Sequence, residues 1–398
     1  MSRPDSVAVL GVGMHPWGNQ GKSFVEYGLV AARAALADAG VTWRDVQLVV
    51  GGETIRNGYP GFVAASALSQ ALGWQGAPVA SCYAACATGA QALSTARAHI
   101  LAGLADVVLV VGADTTPKGF FAPVGGDRPD DPDWLRFRLL GATNPAYFGL
   151  YARRRMALRG STEADFAAVK VKNARAGSLN PYARFRAEVD AETVLNSPMV
   201  SDPLRLLQIC ATSDGAAAVV LASEEYARRR NRDAVRIRAV SAITPEYPRT
   251  VPDFPYLASD SMAAGVPGTR TFRESLAWSA YEACGLGPED LDLAEVYDLT
   301  TAMELDWYEE IGLCEPGEAE KLLHDGVTAL GGRVPVNPSG GLSSFGEAIP
   351  AQAIAQVCEL TWQLRGDAGA HQVQGARAGV AVNQGLFGHG AAVVVARA

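Results

Sequence analysis

Residues 37–50 read ADAGVTWRDVQLVV, and this stretch decides the fold because the chain repeats it. Its apolar spacing ends a helix at Gly40, a residue that takes a helix C-cap conformation without a Cβ penalty. Asp45 then opens an apolar strand. Residues 282–295, EACGLGPEDLDLAE, repeat that order, with the helix ending at Gly285 and Asp290 leading the strand. The ends of the two halves agree as well: DGAAAVVLA at 214–222 stands against HGAAVVVARA at 389–398. Two matches in register imply a duplicated α/β unit.

Outward from that repeat, strands and helices alternate. Strands are predicted over Val7–Val12, Val46–Val50, Pro78–Ser81 and Asp106–Gly112, and helices over Phe24–Ala39, Ala64–Leu72 and Thr88–Leu104. Such alternation implies a mainly parallel sheet covered by helices. Residues 115–210 break the rhythm. A Pro- and Gly-rich run begins at Thr115, followed by Tyr147, Tyr151 and Arg153–Arg155. Long connections of this kind usually carry function. The division predicted is 1–114 plus 211–235 as a first half, 115–210 as a loop region over the active site, and 236–398 as a second half.

Composition excludes several classes. With 398 residues, 48% hydrophobic and 19% charged, the chain can bury a large core. Its 34 Lys and Arg against 42 Asp and Glu give a net charge of −8, which argues against nucleic-acid binding. No apolar run reaches the roughly 18–20 residues of a membrane span. The start, MSRPDSVAVLGVG, lacks the features of a signal peptide. The six cysteines form neither a disulfide framework nor a Cys-x-x-Cys pair, so no metal site and a reducing cytoplasm are expected.

Four places at predicted strand ends carry candidate chemistry. In SCYAACATG at 81–89, Cys86 stands just before a helix, where dipole and free amides stabilise a thiolate. It is either a nucleophile or a small buried thiol. In EVYDLTT at 295–301, the Tyr297 hydroxyl is either a hydrogen-bond and proton-transfer group or a buried, satisfied one. There Asp298 or Thr300 caps the following helix. In VNPSGGLSSFGEAIP at 336–350, the amides of Ser339, Gly340 and Gly341 can face an anion or a carbonyl oxygen. Glu347 reads as the head of a helix running to about Leu364, where a Glu is ordinarily a dipole partner. In NQGLFGHG at 383–390, Asn383 and His389 flank a glycine loop, and His389 is either a base or a surface residue.

These residues carry a resemblance. NPSGG at 337–341, ELTWQLRG at 359–366, SDP at 201–203 and TSDGAAAVVLASE at 212–224 resemble the thiolase superfamily. The branch is that of the sterol-carrier-protein thiolases, which includes bacterial lipid-transfer proteins. The resemblance covers nearly the whole chain, starting from VLGVGM at 9–14. It implies a thiolase fold of the α/β class, five-layered αβαβα from two similar halves, with a homodimer and an acyl-CoA ligand.

The departures shape the expected activity. Cys86 falls on the family's nucleophile. Tyr297-Asp298-Leu299-Thr300 replaces a His-Asp-Cys-Phe motif, Gly346-Glu347-Ala348 replaces Gly-His-Pro, and Asn383-Gln384-Gly385 replaces Gln-His-Asn. The three histidines of a working thiolase are therefore missing. Tyr-Asp, Gly-Glu-Ala and Ala-Cys-Ala-Thr instead resemble the steroid side-chain-cleaving aldolases, apart from Ile349, where those enzymes have a second tyrosine.

That resemblance implies a carbon–carbon lyase (an aldolase) acting on a β-hydroxyacyl-CoA, with a steroid side-chain thioester as the expected substrate. The expected products are a ketone and a shorter acyl-CoA. Tyr297 would be the base and Asp298 would orient it. Glu347 would re-protonate the α-carbon. The enolate oxygen would be held by the Ser339–Gly341 amides and the helix start at Cys86, with Asn383 and His389 against the substrate. No cofactor is implied beyond the coenzyme A of the substrate. The implied partner is a small OB-fold/zinc-ribbon protein forming a heterotetramer. The alternatives are an acyltransferase using Cys86 and a non-catalytic lipid-CoA-binding scaffold.

Overall fold

The computed structural model describes residues 6–53, 63–115, 144–230, 235–244, 271–385 and 389–397. The first half runs through β1 (Val7–His15), α1 (Phe24–Ala39), β2 (Leu48–Gly52), α2 (Ala64–Leu72), β3 (Val79–Cys82), α3 (Thr88–Leu101) and β4 (Val107–Asp114). Next come α4 (Asn144–Arg159), α5 (Glu163–Leu179), α6 (Ala191–Leu195) and a hairpin of β5 (Met199–Ser201) and β6 (Leu204–Arg205). After these, β7 (Gly215–Ala222) and α7 (Glu224–Arg229) complete the half. The second half holds β8 (Val235–Ile243), α8 (Phe272–Cys284), β9 (Leu293–Glu295), α9 (Thr301–Glu310), α10 (Ala319–His324), α11 (Gly341–Phe345), α12 (Gln352–Arg365), β10 (Ala378–Gly385) and β11 (His389–Ala396).

The repeat seen in the sequence is a repeat in space. Gly40 and Gly285 both end their helices in the left-handed region, at φ 63° and 67°. Each is followed by one 3-10 turn, Trp43–Asp45 or Pro288–Asp290, and then a strand. The turn is why β2 begins at Leu48 rather than at Val46. One nine-stranded sheet runs in the order β3-β2-β4-β7-β1-β8-β11-β10-β9. In the first half, β2 lies parallel to β4, β4 antiparallel to β7, and β7 antiparallel to β1. In the second, β9 lies parallel to β10, β10 antiparallel to β11, and β11 antiparallel to β8. Val336 bridges Ala294 in parallel, in the place that β3 takes beside β2. The halves join where Val7–Val9 pairs with Val235–Ile237.

Five layers result. Helix α1 lies on β1 so closely that a Cβ on Gly11 would stand 2.3 Å from the Ala39 nitrogen. Helices α3 and α12 form the middle layer and touch strands of both halves, while α8 covers β8 and β11 on the far side. Helix α12 is buried almost all round, as expected for a helix between two sheets.

Three expectations change. The sheet, expected to be mainly parallel, is mixed, with three parallel and five antiparallel strand pairings among the described residues. Residues 144–195, read as part of a loop region, hold α4, α5 and the short α6. Helix α4 buries Tyr147, Phe148, Ala152 and Arg155, residues at helical spacing. Arg155 is buried against Asp306, Glu309 and Glu320 at 2.7, 2.8 and 2.8 Å, so the arginine run anchors the insertion instead of lying free. The Pro- and Gly-rich run from residue 116 lies outside the described residues, as do 386–388 of the glycine loop. The helix expected from Glu347 to Leu364 starts later, as α12 at Gln352, and Glu347 falls between it and α11, which stops before Gly346 at φ 75°.

Candidate active site

Strand β3 delivers the chain to a tight loop that carries Cys86 to the start of α3. The loop is pinned by Thr88, whose hydroxyl accepts from the Ala84 amide at 2.9 Å and donates to the Ala85 carbonyl at 2.5 Å. Ala85 lies at φ 46°, the left-handed region that L residues rarely occupy. Helix α3 has no side-chain cap; the Ala87 and Thr88 amides donate to the Ala84 and Ala85 carbonyls, and the positive end of the helix dipole faces what stands before it.

Strand β9 delivers Tyr297 two residues past its end. The tyrosine is fully buried, and its carbonyl accepts the Trp307 indole N–H at 3.0 Å. Its hydroxyl donates to Oε1 of Glu347. The Cys86 thiol also reaches that hydroxyl. Burial pushes the Tyr297 hydroxyl well above the ordinary tyrosine range, and the neighbouring Cys86 and Glu347 push it further. Tyr297 therefore stands as a neutral donor, not as a ready base.

Glu347 is held by its own backbone. Its amide donates to the Ala211 carbonyl at 2.7 Å, and its carbonyl accepts from the Ser213 amide at 2.9 Å. Gly346 breaks α11, and the chain then runs as a bridge beside Thr212 rather than as a helix start. This geometry replaces the expectation of a dipole partner. Cys86, Tyr297, Cys210 and Ile349 lie in one apolar cluster around the pair. Burial raises the Cys210 thiol, and Glu347, Asp298 and Cys86 raise it further. Nothing local in the sequence marked Cys210.

The remaining candidates do other work. Asp298 accepts from the Leu342 amide at 2.7 Å and the Ser343 amide at 3.1 Å, and from Asn173 at 3.2 Å. It caps α11 instead of orienting Tyr297. Its carboxyl is raised by burial and then by Glu304. The first half has the same device: Glu53 accepts from the Ala64 amide at the start of α2. Thr300 caps α9 through the Met303 amide.

The Ser339–Gly341 amides are all taken inside the protein. Ser339 donates to Glu295, Gly340 to the Asn337 carbonyl, and Gly341 to the Ser339 hydroxyl. The expected oxyanion loop is a closed turn, because Asn337, Gly340 and Gly341 all have positive φ and fold it back on β9. Asn383 is buried and donates to Gln356 of α12 at 2.5 Å. His389 is exposed at the start of β11. The structure thus brings together Cys86, Tyr297 and Glu347, engages Asp298, Ser339, Gly340, Gly341 and Asn383 with other partners, and leaves His389 exposed.

Comparison with known proteins places this geometry. The family "Thiolase, N-terminal domain" matches residues 7–225, and "Thiolase C-terminal domain-like" matches residues 261–398. Sterol carrier protein 2 of Bos taurus is 34% identical over 98% of this chain and 71% of its own length. Acetyl-CoA acetyltransferase of Methanothermobacter thermautotrophicus is 33% identical over 97% of this chain and 98% of its own. Among solved structures, the Ltp2-ChsH2(DUF35) aldolase superposes with a TM-score of 0.83 at 25% identity, covering 99% of this chain and 98% of its own.

Proposed function

The chain belongs to the thiolase superfamily, in the branch of the sterol-carrier-protein thiolases and bacterial lipid-transfer proteins, and from that premise we propose that it is a carbon–carbon lyase cleaving a β-hydroxyacyl-CoA by retro-aldol chemistry. The observation that carries the reading is the Tyr297–Glu347 hydrogen bond beside Cys86. All five histidines of the chain lie elsewhere: His15 contacts Pro16, His99 Thr95, His324 Asp165 and His371 Glu359, while His389 is exposed. Claisen chemistry needs a base for the thiol or the α-carbon, whereas a Tyr–Glu pair suits the proton of an alcohol.

The reaction balances on this pair. The substrate's β-hydroxyl gives its proton to Tyr297 as Tyr297 gives its own to Glu347, so Glu347 is the base and Tyr297 the relay. The Cα–Cβ bond breaks, its electron pair passes to Cα and the thioester carbonyl, and the ketone departs. The enolate then takes a proton at Cα from Tyr297, which regains one from Glu347, so the pair ends as it began. The dipole of α3 favours negative charge on the thioester oxygen at Cys86.

Within that class a steroid side-chain thioester is the proposed substrate, because the motifs resemble those of the side-chain-cleaving aldolases. A small OB-fold/zinc-ribbon partner is proposed on the same ground, supported by the structural likeness to the Ltp2-ChsH2(DUF35) aldolase. A homodimer is proposed through β3, which ends the sheet order among the described residues beside exposed Trp74 and Tyr83. None of the six cysteines is in a disulfide, which agrees with the proposed cytoplasmic location. No described helix is long and apolar enough to cross a membrane.

The test is incubation of the purified chain, alone and with a candidate partner, with a β-hydroxyacyl-CoA. Release of a ketone and a shorter acyl-CoA supports the reading, and an unchanged substrate rejects it. The second reading, acyl transfer through Cys86, is favoured by the position of that thiol before α3. A stable thioester adduct on Cys86 by mass spectrometry would support it.

A further inference from the structure

Arg273, the second residue of α8, is buried and makes four contacts. Its Nε donates to Oε1 of Gln384 at 2.6 Å. Its Nη1 donates to one oxygen of Asp306 at 3.5 Å, while the other oxygen of Asp306 accepts from Arg155 of α4 at 2.7 Å. The guanidinium carbon lies 5.1 Å from the centre of the Trp307 ring and 5.3 Å from the centre of the Tyr151 ring.

These contacts lead to the site from two sides. Trp307 is the residue whose indole N–H holds the Tyr297 carbonyl at 3.0 Å. Gln384 precedes Gly385, where β10 ends against the Cys86 loop. The approach is so close that a Cβ on Gly385 would stand 2.9 Å from the Ala84 carbonyl oxygen and 3.1 Å from the Cys86 nitrogen. One guanidinium therefore touches the ring that anchors Tyr297 and the amide side chain at the strand end that backs the Cys86 loop.

The chemistry of arginine suits this place. A guanidinium presents N–H groups at its edge while its flat face packs on an aromatic ring. A lysine ammonium is a point charge and cannot hold an amide and a ring in one fixed plane. Burial of the charge is not required for stability, because well-packed apolar residues of similar volume often serve as well or better. The geometry that the guanidinium fixes gives it a reason to be there.

We infer that Arg273 is a positioning residue that sets Tyr297 and the Cys86 loop relative to each other, through Trp307 on one side and through Gln384 and Gly385 on the other. Its effect on turnover rests on the lyase reading; its effect on the loop rests on the contacts alone. Proton transfer at Tyr297 and charge stabilisation at the start of α3 both depend on where the substrate's atoms fall between them, and a misplacement of about 1 Å can cost about 10²-fold in rate.

The test is Arg273→Lys, which keeps the charge and loses the planar fork. The first measurement needs no turnover: alkylation by iodoacetamide, followed for each cysteine by peptide mass spectrometry. Cys86 is expected to react about threefold faster in the variant, as its loop opens more often. Cys358, fully buried on α12, is expected to react as in the wild type. An unchanged rate at Cys86, or an equal rise at Cys358 that marks general loosening, overturns the inference.

The second measurement is the division between kcat and KM on a β-hydroxyacyl-CoA. A fall in kcat of about tenfold, with KM within about twofold, is expected. An unchanged kcat overturns the inference while leaving the lyase reading intact. Should Arg273→Lys melt early, Gln384→Leu, which removes the acceptor and leaves the ring contacts, decides both measurements in its place. If the wild type cleaves no such substrate, the lyase reading fails, and the alkylation rates still decide the position of the loop.

Discussion

The Tyr297 hydroxyl donates to the Glu347 carboxylate across fifty residues of sequence, inside an apolar cluster that also holds Cys86, Cys210 and Ile349. Burial holds the tyrosine neutral, so any proton leaving it goes to the one carboxylate it touches. The pair can act as a single proton-transfer unit because neither member faces bulk water: Tyr297 is 0% and Glu347 2% exposed.

Tyr297→Phe keeps the ring's packing and removes only the hydroxyl. Turnover is expected to fall by about 10²–10⁴, the usual weight of a general acid–base group. Glu347→Gln is expected to fall in the same range, and the double variant no further, because the two act as one unit. Single-turnover rates and melting temperatures on the same samples check this. A Tyr297→Phe protein that melts early but turns over normally would show a structural tyrosine.

Cys86→Ala is expected to retain substantial lyase activity, since no covalent acyl intermediate is required. A loss beyond about a hundredfold in a folded variant would restore covalent catalysis as the better reading.

Asp298→Ala is expected to act first on stability. It leaves the Leu342 and Ser343 amides at the buried start of α11 without their acceptor. Each orphaned donor costs about 1–3 kcal/mol. Thermal unfolding should show the loss, and the rate per folded molecule should fall far less than in Tyr297→Phe. A normal melting temperature with a lost rate would return Asp298 to the chemistry.

Glu295 supplies a pH test. Burial raises its carboxyl well above the ordinary range, and Glu359 raises it further. A raised folded pKa contributes stability that is fully present below the unfolded value and is lost as pH rises through the folded value. Glu295→Gln cannot ionise, so its melting temperature should decline less than that of the wild type between about pH 5 and about pH 8. Parallel curves would place the carboxyl's titration in its ordinary range.

The β3 edge supplies an assembly test. Tyr83 is 49% and Trp74 61% exposed beside it. Tyr83→Asp places a charge at that edge, a device that blocks strand pairing. Light scattering should show a wild-type dimer and a shift toward one chain in the variant. A wild-type monomer would remove the dimer from the proposal.

The duplicated halves were legible in the sequence because helix spacing, a C-cap glycine and an all-apolar strand are local signals. Gly40 and Gly285 end their helices for a reason that lies within one turn of chain. Cys86 before α3 was legible for the same reason. What each polar side chain does was not. Asp298 follows a strand exactly as a site residue would, yet its oxygens belong to amides 44 and 45 residues away. The glycine turn at 339–341 looked open because its distant partner, Glu295, reaches it only once β9 and the turn are packed together. Glu347 carries no helical signal of its own function, and only its clamp against Ala211 and Ser213 aims it at Tyr297. Sequence determines elements, whose energetics are short-range. Tertiary packing decides which buried donors and acceptors meet, because each one taken from water must find a partner wherever the chain supplies it.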